Sequence, residues 1–167
     1  MIRVVSRYPL MTVRVLCVCL GNICRSPIAE GILRRQAVEC GLELEIDSAG
    51  TGDWHVGDRP DPRAIRAGEA CGCQMTMVAR QIRSSDFEEF DWILAMDHSN
   101  LQNLYRWPES KPEKVHLIRS FDLSASSTEV PDPYYGTYAD FEEVVDMLES
   151  ACRGFLRHIA AQPPEDY

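Results

Sequence analysis

The chain has 167 residues, 45% of them hydrophobic, with a formal net charge of −9. That is enough apolar material for one domain with a substantial core, and too much for a disordered chain. So acidic a balance excludes broad binding to nucleic acid or anionic membranes, and requires any anionic ligand to be captured by local donors rather than by the overall field. Residues 1–12 read as an extension, with Met1 and Met11 as alternative starts, residues 13–161 as a single catalytic domain, and 162–167 as a tail. Val13 to Cys19 is almost continuously apolar, which suits a strand buried on both faces. A helix follows, with Ser26 as its expected N-cap, Pro27 in its first turn, an apolar stripe of Ala29, Ile32, Leu33, Ala37 and Cys40, and Gly41 as its stop. A second strand is expected over Leu44–Ser48, then a glycine-rich loop, then a helix opened by Asp61-Pro62 and running to about Cys71. A short helix near Ser85–Phe90, a strand over Asp91–Met96, a helix over His98–Trp107 and a strand over Lys114–Ile118 come next. The last helix has the strongest period, Phe141, Val144, Val145, Leu148, Cys152, Phe155, Leu156 and Ile159, with Asp140 and Glu143 as its expected capping box. Strands alternating with helices imply an α/β fold in three layers, a parallel sheet flanked by helices, with any ligand beyond the carboxyl ends of the strands.

The seven cysteines follow no leader-like segment: residues 1–11 hold two arginines but no sufficient apolar stretch, and no apolar run approaches about 18 residues. The expectation is a reduced, cytoplasmic protein without a membrane span, not a secreted disulfide scaffold.

The chemistry concentrates in Cys19-Leu20-Gly21-Asn22-Ile23-Cys24-Arg25-Ser26. A loop between a buried strand and a helix start turns its N–H groups inward as an anion nest, and the helix adds its positive end. Arg25 can fork onto two phosphoryl oxygens as a lysine cannot. Gly21 and Asn22 suit a tight, partly left-handed backbone. The same donors stabilise a Cys19 thiolate, which makes it a nucleophile. Cys24 is placed to form a disulfide with Cys19 under oxidation and so protect it. Phosphoryl displacement is easier if the departing oxygen is protonated, and Val130-Pro131-Asp132-Pro133-Tyr134-Tyr135-Gly136 offers Asp132, stiffened by two prolines.

These two segments together resemble the low-molecular-weight protein tyrosine phosphatases over roughly residues 13–160. Ser48-Ala49-Gly50-Thr51, Asp61-Pro62-Arg63-Ala64, Ala79-Arg80-Gln81 and Met96-Asp97 are similar to its lesser motifs. The resemblance implies a four-stranded parallel sheet and hydrolysis of phosphotyrosine in proteins, without metal or cofactor. Cys19 would attack the phosphoryl group while Asp132 protonates the leaving phenol, and Asp132 would then act as base for water. Residues 20–25 would bind the phosphoryl oxygens, Ser26 would donate to the Cys19 sulfur, and Asn22, supported by Ser48, would fix the loop. Trp54, Tyr134 and Tyr135 would wall the cleft. Phosphate and other oxyanions would inhibit, and the protein would be a monomer or weak homodimer. Met77 stands where many members carry a histidine that supports the loop asparagine, so that support must come from elsewhere.

Two rivals share the loop. A thiol-linked arsenate reductase needs two further relay cysteines after the third strand, and none occurs between Cys73 and Cys152. A non-catalytic phosphotyrosine-binding module has no use for Cys19, Arg25 and Asp132 together. The histidines, 55, 98, 116 and 158, are scattered singly, which favours neither a metal site nor a Cys–His hydrolase.

Overall fold

The computed structural model describes residues 12–162. Four strands, β1 (Val13–Cys19), β2 (Leu44–Gly50), β3 (Trp92–Ala95) and β4 (Val115–Leu117), pair in parallel in the order β2-β1-β3-β4. The central strand β1 reads as one apolar run because both its faces are covered. Val15, Cys17 and Cys19 face one apolar cluster, and Leu16 and Val18 face the other.

Three helices build the first layer: α1 (Arg25–Cys40), α2 (Pro62–Ala70) and α5 (Tyr138–Ala160). The opposite layer comes from α3 (Asp86–Glu89) and α4 (His98–Tyr105), which bring Phe87 and Leu104 against Val18, Ile93 and Val115. Helix α5 buries every apolar position that its period marks, with Ala151 in addition. No helix among the described residues is long and apolar enough to cross a membrane.

The strand order positions the site. From β1 the chain moves to one side to form β2, then to the other side to form β3. The loops leaving the carboxyl ends of β1 and β3 therefore diverge and open a crevice. Register puts Cys19 opposite Gly50, and Val18 opposite both Ala49 and Ala95.

Several local expectations are corrected. Helix α1 begins at Arg25 with Cys24 at the cap position and no side-chain cap; Ser26 is drawn to a tertiary partner instead. Cys40 lies off the buried stripe and is exposed, whereas Gly41 ends the helix at φ 71° as expected. Strand β2 runs on to Gly50, whose N–H reaches the Arg80 carbonyl at 2.8 Å and whose carbonyl accepts from Ile82 at 2.9 Å. The capping box of α5 is Thr137 with Asp140, not Asp140 with Glu143: the Asp140 carboxylate accepts the Thr137 N–H at 2.6 Å. Residues 1–11 of the expected extension and 163–167 of the expected tail lie outside the described residues.

Candidate active site

The loop after β1 folds back because its carbonyls are held from outside. Thr51 N–H donates to Cys19 O, Gly52 N–H to Leu20 O, Asp61 N–H to Ile23 O, and Ile28 N–H to Cys24 O, at 2.8–3.3 Å. With those acceptors turned away, the loop's N–H groups are what remains to meet an oxyanion. Asn22 supplies the left-handed residue that the turn needs, at φ 56°. Gly50 must lack a side chain, since a Cβ there would lie 2.8 Å from the Leu20 carbonyl oxygen and 3.1 Å from the Asn22 nitrogen.

Behind the loop runs a closed polar network. The Asn22 amide donates to Ser26 Oγ at 2.8 Å and to Ser48 Oγ at 2.9 Å, and accepts from the Arg80 N–H at 3.0 Å. The Ser48 hydroxyl donates to Glu30 at 2.9 Å, and Glu30 accepts from Arg34 at 3.2 Å. Burial pushes the Glu30 carboxyl up from its ordinary value, against the pull of Arg34 and Ser48. Ser26 Oγ accepts from Asn22 and has two neighbours for its own hydrogen, Cys19 Sγ at 3.0 Å and the more distant Ala49 carbonyl at 3.5 Å. The network thus holds the Ser26 hydroxyl beside the sulfur.

Arg25 is held in the crevice. Its Nη1 donates to Asp97 at 2.6 Å and to the Val130 carbonyl at 2.9 Å, and its Nη2 lies 3.6 Å from Asp132. Burial alone would pull the guanidinium down; the charges of Cys19, Asp97 and Asp132 outweigh it, and Arg25 titrates above its ordinary value. Asp97, leaving β3, divides its two oxygens between Arg25 and the Asn100 N–H that starts α4.

Asp132 reaches the site from the segment before α5. One oxygen accepts the Tyr134 N–H at 3.1 Å. Arg63, in the first turn of α2, pins the same segment through the carbonyls of Tyr134 at 2.9 Å and Gly136 at 3.2 Å. Asp61 caps α2 and binds Arg63, which lowers the Asp61 carboxyl. Cys19, Leu20, Gly21, Ile23, Cys24 and Arg25 share one cavity of about 470 Å³ with Trp54, Asp132, Tyr134 and Tyr135. Asn22, Ser26 and Ser48 lie buried behind it. Burial, then the neighbouring Cys19, Asp61 and Asp132, raises the Cys24 thiol far above its ordinary range.

Sequence reasoning gave no role to Asp97, Glu30 or Arg63, whose contacts span 72, 18 and 71 residues. Asp97 and Arg63 stand in segments that the resemblance marked, and Asp97 also ends the strand beside β1, where the crevice opens. His55 also lines the cavity, with Nδ1 3.4 Å from Asp58, although spacing gave no reason to place a histidine there.

An anion nest with a thiol at its base, a buried arginine and a carboxyl at its mouth suits the transfer of a phosphoryl group. Comparison with known proteins gives the family. Residues 14–164 match the family model described as low molecular weight phosphotyrosine protein phosphatase. A protein of that name from Schizosaccharomyces pombe is 44% identical over 152 residues, covering 89% of this chain and 97% of the relative. A product-state mimic crystal structure of a protein tyrosine phosphatase from Entamoeba histolytica superposes with TM-score 0.86 at 37% identity, covering 91% of this chain and 98% of that one. A Drosophila arginine phosphatase superposes with TM-score 0.82 at 32% identity, covering 89% and 99%. The chain belongs to the low molecular weight phosphotyrosine protein phosphatase family and is a phosphatase.

Proposed function

We propose that the chain hydrolyses phosphotyrosine in proteins, and small aryl phosphates, through a phosphocysteine on Cys19. One observation carries the reading: Cys19 Sγ lies 3.0 Å from the Ser26 hydroxyl in a cavity that also holds Arg25, Asp132 and three aromatic side chains.

The thiolate of Cys19 attacks phosphorus, and the bond from phosphorus to the aryl oxygen breaks. Asp132 gives its proton to that oxygen, and a phenol leaves. The loop N–H groups of residues 20–25 and the Arg25 guanidinium hold the three equatorial oxygens, where charge collects in transfer. Water then attacks the phosphocysteine and yields its proton to Asp132. The sulfur–phosphorus bond breaks, and the thiolate returns to the hydrogen bond of Ser26, which eases its departure. Trp54, Tyr134 and Tyr135 present aromatic surface to the substrate ring. Cys19 is nearly buried, at 3% exposure, which favours a long aryl phosphate over a shorter serine phosphate. Inorganic phosphate and similar oxyanions compete for the same nest. The setting is the reduced cytoplasm, and Cys24 serves as a reserve thiol that traps an oxidised Cys19 as a disulfide. The enzyme acts as a monomer or weak homodimer, without metal or cofactor.

Metal-free hydrolysis of para-nitrophenyl phosphate tests the mechanism. Wild type should turn over, Cys19→Ser should lose at least roughly a thousandfold, and Asp132→Asn should fall by about 10²–10⁴ with phenyl phosphate, a poorer leaving group, and by less with para-nitrophenyl phosphate. An active Cys19→Ser enzyme refutes the phosphocysteine. A phosphotyrosine peptide and a phosphoarginine peptide, assayed side by side, test the substrate: faster release from phosphoarginine overturns the tyrosine assignment.

A further inference from the structure

Outside the cavity the molecule holds a second pair of thiols. Cys71 ends α2 and Cys73 follows across Gly72, whose φ of 85° turns the chain tightly. The two sulfurs lie 3.4 Å apart, and Cys71 Sγ donates to the Gly68 carbonyl at 3.1 Å. The order of donors follows: the Cys73 thiol gives its hydrogen to Cys71, which gives its own to the backbone. Neither residue lines the Cys19 cavity.

The two thiols differ in access. Cys71 is half-buried, between exposed Ala70 and Gly72. Cys73 is 6% exposed and pressed against α1: a Cβ at Gly31 would sit 3.0 Å from the Cys73 Cβ and 3.6 Å from its sulfur. Cys71 therefore has room to carry an adduct and Cys73 has none. The Arg35 guanidinium, bonded to the Cys71 carbonyl and paired with Glu149 of α5, ties the segment to α1 and α5. Burial, then the hydrogen bond and charge of Cys71, push the Cys73 thiol up to about 12; the half-buried Cys71 is the sulfur that an external disulfide can reach. Closure to the usual sulfur–sulfur bond of about 2.05 Å needs an approach of only about 1.4 Å across a glycine hinge.

We propose that Cys71 and Cys73 form a second thiol centre, a modification site that reacts with small disulfides and closes to an internal disulfide independently of the phosphate loop. Cys71 as thiolate attacks one sulfur of an external disulfide such as oxidised glutathione. A bond forms to that sulfur, the external bond breaks, and one glutathione thiolate leaves and takes up the displaced proton. Cys73 then loses its proton and attacks the Cys71 sulfur, the bond from that sulfur to glutathione breaks, and the second glutathione leaves as thiolate and takes up the proton. Two protein thiols are oxidised and one external disulfide is reduced to two thiols. The tight fit around Cys73 favours this order, since the bulky adduct never has to occupy the buried sulfur.

The whole protein, incubated with oxidised glutathione, alkylated and digested with trypsin without reduction, gives the test. Cleavage after Arg66 and Arg80 releases Ala67–Arg80, which contains Cys71 and Cys73 and no other cysteine. That peptide should appear two hydrogen masses lighter and without glutathione, while the exposed Cys40 keeps a glutathione adduct. Saturating inorganic phosphate should leave the closure rate unchanged within about twofold, because the pair lies outside the loop that phosphate fills. Cys73→Ala should hold glutathione on Cys71, and dithiothreitol should release it. The proposal is overturned if Ala67–Arg80 stays doubly alkylated, if it retains glutathione in the wild type, or if phosphate blocks its oxidation. The wild-type map decides the question even if the variant folds poorly.

Discussion

The base of the cavity and its rim are built on opposite principles. At the base, Cys19, Asn22, Arg25, Ser26 and Ser48 are at most 3% exposed, and each polar side chain has named partners. At the rim, Trp54 is 69% and Tyr135 is 95% exposed, held mainly by their own loops and, for the tyrosines, by an edge-on contact at 4.9 Å. A buried polar group without a partner costs stability, so the base tolerates one arrangement only. An exposed ring carries no such constraint. The comparison teaches that the base is over-determined and the rim is not; under the proposed function, substitutions should therefore cost turnover at the base and affinity at the rim.

The strongest way to break this division is Arg25→Lys. A lysine keeps the charge but loses the fork to two oxygens and the paired grip on Asp97 and Val130. Turnover should fall by about 10²–10³, as for loss of a preorganised transition-state donor. Single-turnover kinetics with para-nitrophenyl phosphate measure it; a loss below about tenfold would mean that charge alone suffices, against the directional role given to the guanidinium.

What was legible in the sequence follows the range of each interaction. The nest spans eight consecutive residues between a strand and a helix, so residue order alone displays it. Asp132 was legible because two prolines mark its segment. Ser26 was misread as a helix cap because local propensity favours a hydroxyl there; its contact with Cys19, which the resemblance implied, forms only once the loop folds. The partners of Asp97, Glu30 and Arg63 could not be read, since each contact joins elements that meet only in the assembled sheet and helix layers. The parallel sheet itself was legible because buried strands are written as apolar runs, whereas the end of β2 depended on a bridge from Gly50 to the distant Gln81.

Between base and rim stands Arg63, which ties the Asp132 segment to α2. Arg63→Ala should leave the nest intact and loosen the general acid. The expected loss is on the order of tenfold with phenyl phosphate and much less with para-nitrophenyl phosphate, whose leaving group needs little help from a proton. A leaving-group series reads the difference as a steeper dependence on phenol acidity. An equal loss across the series would place Arg63 in binding rather than in positioning Asp132.

At the rim, Trp54→Ala should raise KM for a phosphotyrosine peptide by about two- to tenfold, the worth of one aromatic contact, with kcat little changed. Initial rates over a concentration series separate the two constants. A fall in kcat with KM unmoved would carry the rim into the chemistry and erase the distinction from the base.

The smallest effect is expected at Met77, where the family resemblance supplies a histidine to steady the loop asparagine. Here the Asn22 amide has both donors engaged, by Ser26 and Ser48, and its oxygen already accepts from the Arg80 N–H. One lone pair on that oxygen is all that a histidine could address. Met77 instead lies half-buried against the apolar cluster on the α1 side of the sheet. Met77→His should therefore change kcat by less than about threefold, in either direction, and lower Tm by a few degrees through the burial of a polar ring. Paired turnover and melting measurements check both numbers. A large loss of turnover with an unchanged melt would show that the methionine, through its packing, is itself part of what holds Asn22 in its left-handed turn.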